Sequence, residues 1–420
     1  MTALIQSSSA TTVMVVGFVN AGLMSLKQAV GVIMGANVGT TVTAWIVSLG
    51  EWTSFLKPSV LAPICIIIGV VLTMFAKKQH TKHVGQILFG FGALFLGLDT
   101  MSDAATPLRG LESVRNLFVV LGSNPILGIL VGAIVTAVIQ SSSASVGILQ
   151  ALATAALVPW NSAIYIILGQ NIGTCITANL SSIGASKNAK RAAAIHFLFN
   201  FLGSVVFAII ACIGFTWVAP ELGAQLIDVT QISVVHTVFN IMNTILLFPF
   251  AGLLVTLAEK IITGKDDSDE GELKHLDERI LETPSFAVEN AVKEVVRMGN
   301  IAHQNVQASM EALFEKDEKK IEEVFEREKI INQLQHGINH YLVKLTNTTI
   351  SEKEHTIVTA LFHTVSDIER VGDHAENLAE LAQSLIEQEL NFSDKAKQEL
   401  REIIETATSC FEMSMRAYEF

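Results

Sequence analysis

The chain has 420 residues, half of them hydrophobic (50%), and a formal net charge of −12. Up to Gly264 it holds 11 Lys/Arg and 7 Asp/Glu, and the remainder holds 17 and 33, so an apolar part precedes a strongly acidic one. That division reads as a membrane region joined to a soluble domain, and it excludes nucleic acid as a partner, which needs phosphate-neutralising Lys and Arg. Cys65, Cys175, Cys212 and Cys410 lie far apart with no CxxC spacing, which predicts neither a disulfide nor a metal knuckle. Residues 1–5 carry no basic n-region or long h-region of the secretory kind.

Crossing a bilayer takes roughly 20 mostly apolar residues. Candidate spans run at 28–49, 60–76, 84–105, 160–182, 191–213 and 231–258. Two further apolar stretches, 1–24 and 126–158, are each interrupted by the same polar knot, "QSSSA" at 6–10 and at 140–144. The flanks of each knot are too short to cross alone, which predicts re-entrant hairpins or broken helices. The basic loops "KKQHTK" (77–82) and "SKNAKR" (186–191) should face the cytoplasm. The loop around Glu221 and Asp228 has no Lys or Arg and should face outward, which returns the acidic tail to the cytoplasm.

Sliding the sequence by 134 residues superposes the knots and also lays "GANVGTT" (35–41) on "GQNIGTC" (169–175) without a gap. Thr2, Ala3, Ile5, Thr43 and Ala44 then fall on Thr136, Ala137, Ile139, Thr177 and Ala178. The loop charges give the halves, about 1–76 and 84–213, opposite orientations, with 231–258 an added helix. Inverted repeats with interrupted hydrophobic segments at equivalent positions mark the binding site of a secondary transporter. The first half lacks the spanning helix and leading hairpin arm of the second, so the chain is expected to continue before Met1. The last helical pattern ends without a Gly, Asn or Pro stop and is expected to run on past Phe420.

After 262 comes a charged linker (263–283) containing "KDDSDEGE", then four amphipathic helices at 284–315, 318–347, 352–388 and 393–420. Ser351 with Glu354 three residues on forms a capping-box pattern. Ile368, Val371, Ala375, Leu378 and Ala379 keep the spacing of one buried helix face, so the tail reads as an antiparallel helical bundle.

A polar group in the bilayer core costs several kcal/mol if left unsatisfied, so the serines, glutamines, asparagines and threonines of the two knots need partners. A helix broken at mid-membrane exposes N–H groups suited to an anion, and carbonyls which, with hydroxyls, suit sodium. Neither knot contains Lys or Arg, so a doubly charged oxyanion bound there needs co-bound cations. Gly35, Gly39, Gly169 and Gly173 permit backbone breaks and close approach to a ligand. Against this stands simple close packing of small residues, which one knot alone would favour and the duplication outweighs. No GxSxG elbow or triad suggests a serine nucleophile, so no enzyme activity is expected. Asp99 and Asp103 at a membrane exit read as snorkelling or capping groups, and His196 and His236 as structural imidazoles.

In "QSSSATT…GANVGTT" and "QSSSAS…GQNIGTC" the chain resembles the bacterial branch of the type II sodium–phosphate cotransporters over about 1–262. The resemblance implies an all-α polytopic protein of a bacterial plasma membrane that carries inorganic phosphate with Na+ as coupling ion. It implies a phosphate and sodium site from Gln6, Ser7, Ser8, Ser9, Asn37, Thr40 and Thr41, with Gln140, Ser141, Ser142, Ser143, Asn171 and Thr174. "GANVGTTVTAW" carries no carboxylate, whereas electrogenic animal members have one nearby, so an electroneutral cycle is expected. Cys175 where the first half has Thr41 departs from the pattern and breaks the equivalence of the halves.

The tail resembles PhoU: "DIERVGDHAENLAE" (367–380) carries that family's E-R-x-G-D core, and 292–313 resembles its first helix. That implies a regulatory domain over 284–420, incomplete here, with a divalent metal on Glu369 and Asp373, four apart on one helix face. A cytoplasmic regulatory partner or a second copy of the chain would complete such an arrangement. Sodium-driven phosphate uptake leads, and a phosphate exporter and a membrane-tethered phosphate sensor stand as alternatives.

Overall fold

The computed structural model describes residues 1–52, 58–264 and 271–418, so most of the charged run "KDDSDEGE" lies outside the described residues. The chain forms two compact units, one of Met1–Val16 with Ser25–Gly264, the other of Gly17–Met24 with Lys265–Phe420. Among the described residues every regular element is helical apart from an isolated bridge between Pro159 and Leu226.

Up to Gly264 the helices are α1 (Thr2–Ile5), α2 (Ser8–Asn20, whose residues from Gly17 belong to the second unit), α3 (Leu26–Trp52), α4 (Pro58–Phe75), α5 (Gln79–Ala105), α6 (Glu112–Ser123) and α7 (Pro125–Ile139). They continue as α8 (Ser142–Thr154), α9 (Trp160–Gly173), α10 (Cys175–Ser181), α11 (Lys187–Ile213), α12 (Pro220–Ala224), α13 (Val229–Leu247) and α14 (Ala251–Ile261). Among the described residues five stretches can cross a membrane by length and composition: Leu26–Ser48, Gln79–Gly110, Trp160–Ser181, Lys187–Val218 and Val229–Ile261. The segment expected at 60–76 is shorter, its apolar part being Leu61–Phe75. α6 and α7 meet at 111°, a broken span or re-entrant arm. Pro249 has no N–H to continue a helix, and α13 passes to α14 through a 3-10 turn, Phe248–Phe250.

α7 shows how such a bent arm holds its place. Ile126, Leu130, Ile134 and Val138, four apart, are exposed and apolar, as a lipid-facing stripe must be. The opposite stripe is Gly128, Gly132 and Thr136, all buried. A Cβ on Gly132 would collide with the Ile166 carbonyl, and one on Gly169 with that of Ile129. A Cβ on Gly173 would lie 2.7 Å from Thr136 Cβ, and the matching Gly39 would come within 2.8 Å of Thr2 Cβ. These glycines therefore let the arm lie backbone-to-backbone on its neighbour, as small residues do in membranes. Gly35 has open space, and α3 runs unbroken through Gly35 and Gly39, so the expected break there is absent; only the second half breaks, at Thr174. Gly169→Ala should lower the unfolding temperature even though alanine favours a helix by up to ~1 kcal/mol. Gly31→Ala, with nothing within 4 Å, should not; thermal unfolding of the pair in detergent is the check.

The second unit is built on α15 (Pro284–Glu315), α16 (Glu318–Thr346), α17 (Glu352–Glu387) and α18 (Asp394–Arg416). Their bounds match the sequence expectation within a few residues because caps fix them. Asp317 and Ser393 accept first-turn N–H bonds, and Ser351 and Glu354 close the expected capping box. Val295, Met298, Ala302, Ile331, Ile338, Leu342, Val358, Leu361 and Val365 form a shared core. Ile368, Ala375 and Ala379 are buried, with Val371 and Leu378 packed beside them. Residues 271–283 are ordered into this unit: Ile280 is in the core, and the Asp277 carboxylate accepts from Asn20 Nδ2 at 2.6 Å and Arg279 Nη1 at 2.9 Å.

Candidate functional site

Both knots take the same backbone path. Gln6 follows α1 with φ 59°, ψ 27°, and Gln140 follows α7 with φ 58°, ψ 22°. A left-handed non-glycine residue costs of order 1 kcal/mol, and strain of this kind collects at functional sites. Each glutamine N–H closes the arm by donating at 2.7 Å to a carbonyl four residues back, Thr2 or Thr136. The chain then turns and starts a new helix. Ser7 Oγ accepts from Ala10 N–H at 3.1 Å, and Ser141 Oγ from Ala144 N–H at 3.2 Å. Arm and helix are tied in both copies by buried hydroxyls, Thr2 to Thr11 at 2.9 Å and Thr136 to Ser145 at 2.7 Å.

The two helix starts face each other. Ser8 Oγ and Ser142 Oγ are 3.2 Å apart, although 134 residues separate them. Ser9 Oγ donates to the Gln140 carbonyl at 3.3 Å. Two cross-bonds are related by the same shift: Ser143 Oγ donates to Thr43 Oγ1 at 3.3 Å, and Thr177 Oγ1 to Ser9 Oγ at 3.4 Å. Thr43 also donates to Gln6 Oε1 at 2.7 Å. The result is a patch of neutral hydroxyls at the positive ends of two 13-residue helices.

Of the residues named from sequence, Gln6, Ser8, Ser9, Ser142 and Ser143 meet through side chains, and Ser7 and Ser141 cap the new helices. Gln140 contributes its carbonyl, its side chain being exposed. The others are buried but spend their donors on their own helices: Asn37 on the Ile33 carbonyl at 3.1 Å and Asn171 on that of Ile167 at 2.9 Å. Thr40, Thr41 and Thr174 likewise donate to Ala36, Val38 and Asn171. Their bonds do not reach the knots. Cys175 is buried against Asn200 and the His196 carbonyl, so the substitution at this position sits in packing contact. Thr43 and Thr177 join the candidate site although the motifs do not name them. Both match under the 134-residue shift, two residues past the ends of "GANVGTT" and "GQNIGTC".

In the second unit Glu369 and Asp373 are half-buried on α17. Among the described residues no three His, Cys, Asp or Glu side chains are gathered to hold a metal ion. The unusual group is Glu328 on α16, 2% exposed, with both carboxylate oxygens unpartnered. Burial first, then the Asp373, Glu376 and Glu369 carboxylates, push it up to about 7. An orphaned carboxylate of this kind is compatible with a cation beside Glu369 and Asp373, but the geometry as it stands is one of repulsion.

Sequence comparison agrees with this division. The PhoU domain profile matches residues 295–382. A Salmonella typhimurium protein provisionally assigned to inorganic phosphate export, YjbB, is 27% identical over 99% of this chain and 75% of its own length. YqeW of Bacillus subtilis, whose role is uncharacterised, is 30% identical over 63% of this chain and 82% of its own. Human sodium-dependent phosphate transport protein 2B is 30% identical over 45% of this chain and 28% of its own. No solved structure matches the chain significantly. The Na+/Pi-cotransporter profile matches residues 1–103 and 109–261, the segment that carries both knots, and the chain belongs to that family.

Proposed function

We propose that the chain is a sodium-coupled symporter of inorganic phosphate, working electroneutrally in uptake across a bacterial plasma membrane. Its halves are inverted repeats, 1–262 is the transport domain, 263–283 a linker, and 284–420 a cytoplasmic PhoU-like regulator. The observation that carries this reading is the meeting of Ser8 and Ser142 at 3.2 Å. It joins two helix N-termini, which favour an anion. With no Lys or Arg in either knot, phosphate charge must be offset by cations bound with it. Hydroxyls and carbonyls of the kind at Ser9, Gln140 and Thr43 are suitable sodium ligands. Alternating access then requires one repeat to move against the other so that the patch opens to each side in turn.

Labelled phosphate uptake into proteoliposomes should rise steeply with external sodium, and uptake unchanged by replacing sodium with choline would defeat the coupling. The names of the YjbB relatives favour a second reading, phosphate efflux through the same site. Net loss of phosphate from expressing cells under a physiological sodium gradient would select efflux, and net gain would select uptake. Saturable binding without flux in either direction would make the protein a sensor.

A further inference from the structure

Gln150 on α8 is 1% exposed. Its Nε2 lies 3.1 Å from the Ala44 carbonyl on α3, 3.0 Å from Ser233 Oγ on α13 and 3.4 Å from the Val229 carbonyl. Its Oε1, equally enclosed, has no hydrogen-bond partner. A buried acceptor left unbonded is destabilising, so a leucine of similar volume would serve packing better. What the amide does supply is a grip on Ala44. Ser233, fully buried, donates to the same carbonyl at 2.9 Å, and one residue on, Trp45 Nε1 donates to Thr237 Oγ1 at 2.8 Å. The turn of α3 at Ala44–Trp45 is thus held from α8 and α13 together.

That turn matters because Ala44 follows Thr43, the residue bonded to both knots through Gln6 and Ser143. Among the described residues the other half has no such clamp. Thr177 is followed by Ala178, whose carbonyl is met from its own helix by Ser181 Oγ at 2.9 Å and Ser182 N–H at 3.1 Å. The position 134 residues before Gln150 is Val16, which is apolar. α3 is continuous through its clamped turn, whereas α9 and α10 are interrupted at Thr174, shortly before Thr177.

We infer that Gln150, acting with Ser233, is a positioning residue for phosphate and sodium binding: it fixes the Ala44 carbonyl and thereby holds Thr43 against both serine knots. Among the described residues one wall of the site has a dedicated clamp and the other has none. The inference rests on the reading of the knots as the transport site.

The test uses the full chain in proteoliposomes with labelled phosphate, comparing wild type, Gln150→Leu, Thr43→Val, the double variant and Ser233→Thr, with unfolding temperatures measured on each. Gln150→Leu should unfold at the wild-type temperature or higher. It should raise KM for phosphate about tenfold, the worth of one hydrogen bond, while leaving kcat within about twofold. In the Thr43→Val background it should add nothing, because its effect passes through Thr43. Ser233→Thr, which keeps the hydroxyl, should retain wild-type KM. A wild-type KM in Gln150→Leu, additivity with Thr43→Val, or a lowered unfolding temperature accompanying the loss would overturn the role. Wild-type protein that neither binds nor carries phosphate would instead retire the functional reading itself.

Discussion

Ser8→Ala and Ser142→Ala should each cut sodium-dependent phosphate uptake at least tenfold, and the double variant should bring it to background. Each substitution removes one hydroxyl from a pair 3.2 Å apart at the junction of two helix starts. A hydrogen bond to a charged ligand is worth about 1.5–3 kcal/mol, which is tenfold or more in affinity. The loss should therefore appear in KM for phosphate, with the protein still folded. Ser142 is buried and Ser8 partly so, and neither fills much volume, so alanine leaves no sizeable cavity. Because the hydroxyls touch and each can partly stand in for the other, the double variant should lose more than the two single losses combined. If the pair were only a packing contact, both variants would transport normally and unfold a little earlier. Full uptake in the two single variants would remove the knots from the transport site.

Repetition made the candidate site legible. A single "QSSSA" is ambiguous between close packing and binding, but two copies at one spacing from two glycine–asparagine segments carry a geometric implication, and the matched left-handed glutamines and crossed Ser–Thr bonds fulfil it. The helical bundle was legible because Asp317, Ser351 and Ser393 cap α16, α17 and α18 and Pro284 opens α15. The asparagines were harder. Asn37 and Asn171 sit at equivalent positions, yet each amide turns back to its own helix, a local choice that composition does not reveal. The glycines beside them permit breaks or close approach to a ligand, but Gly39 and Gly173 instead serve close contact with Thr2 and Thr136, since glycine permits each and only the neighbour decides. Gln150 was invisible for a related reason: its importance comes from a carbonyl 106 residues away.

Glu328→Gln should stabilise the second unit at pH 8 and change little at pH 4. In the fold this carboxyl is pushed from 4.5 up to about 7, so the folded state holds its proton more tightly than the unfolded chain does. Below pH ~4.5 both states are protonated and the favourable neutral form contributes fully; as pH rises through 7 that contribution is lost. The difference corresponds to about 3 kcal/mol at high pH, an order-of-magnitude figure from 1.36 kcal/mol per unit. The amide is neutral throughout, so the wild-type unfolding temperature, read in chelator-treated buffer, should fall between pH 5 and 8 while that of E328Q stays flatter. Gly372 gives the same group room, since a Cβ there would strike the Glu328 carboxylate; Gly372→Ala should destabilise at any pH. Divalent cations supply the contrast that decides between repulsion and coordination. If Glu369 and Asp373 hold a metal with Glu328 beside them, adding manganese or magnesium at pH 8 should raise the wild-type unfolding temperature and leave E328Q largely unmoved. A wild-type protein indifferent to both ions would leave the carboxylates as an acidic face whose buried member is kept neutral by its surroundings.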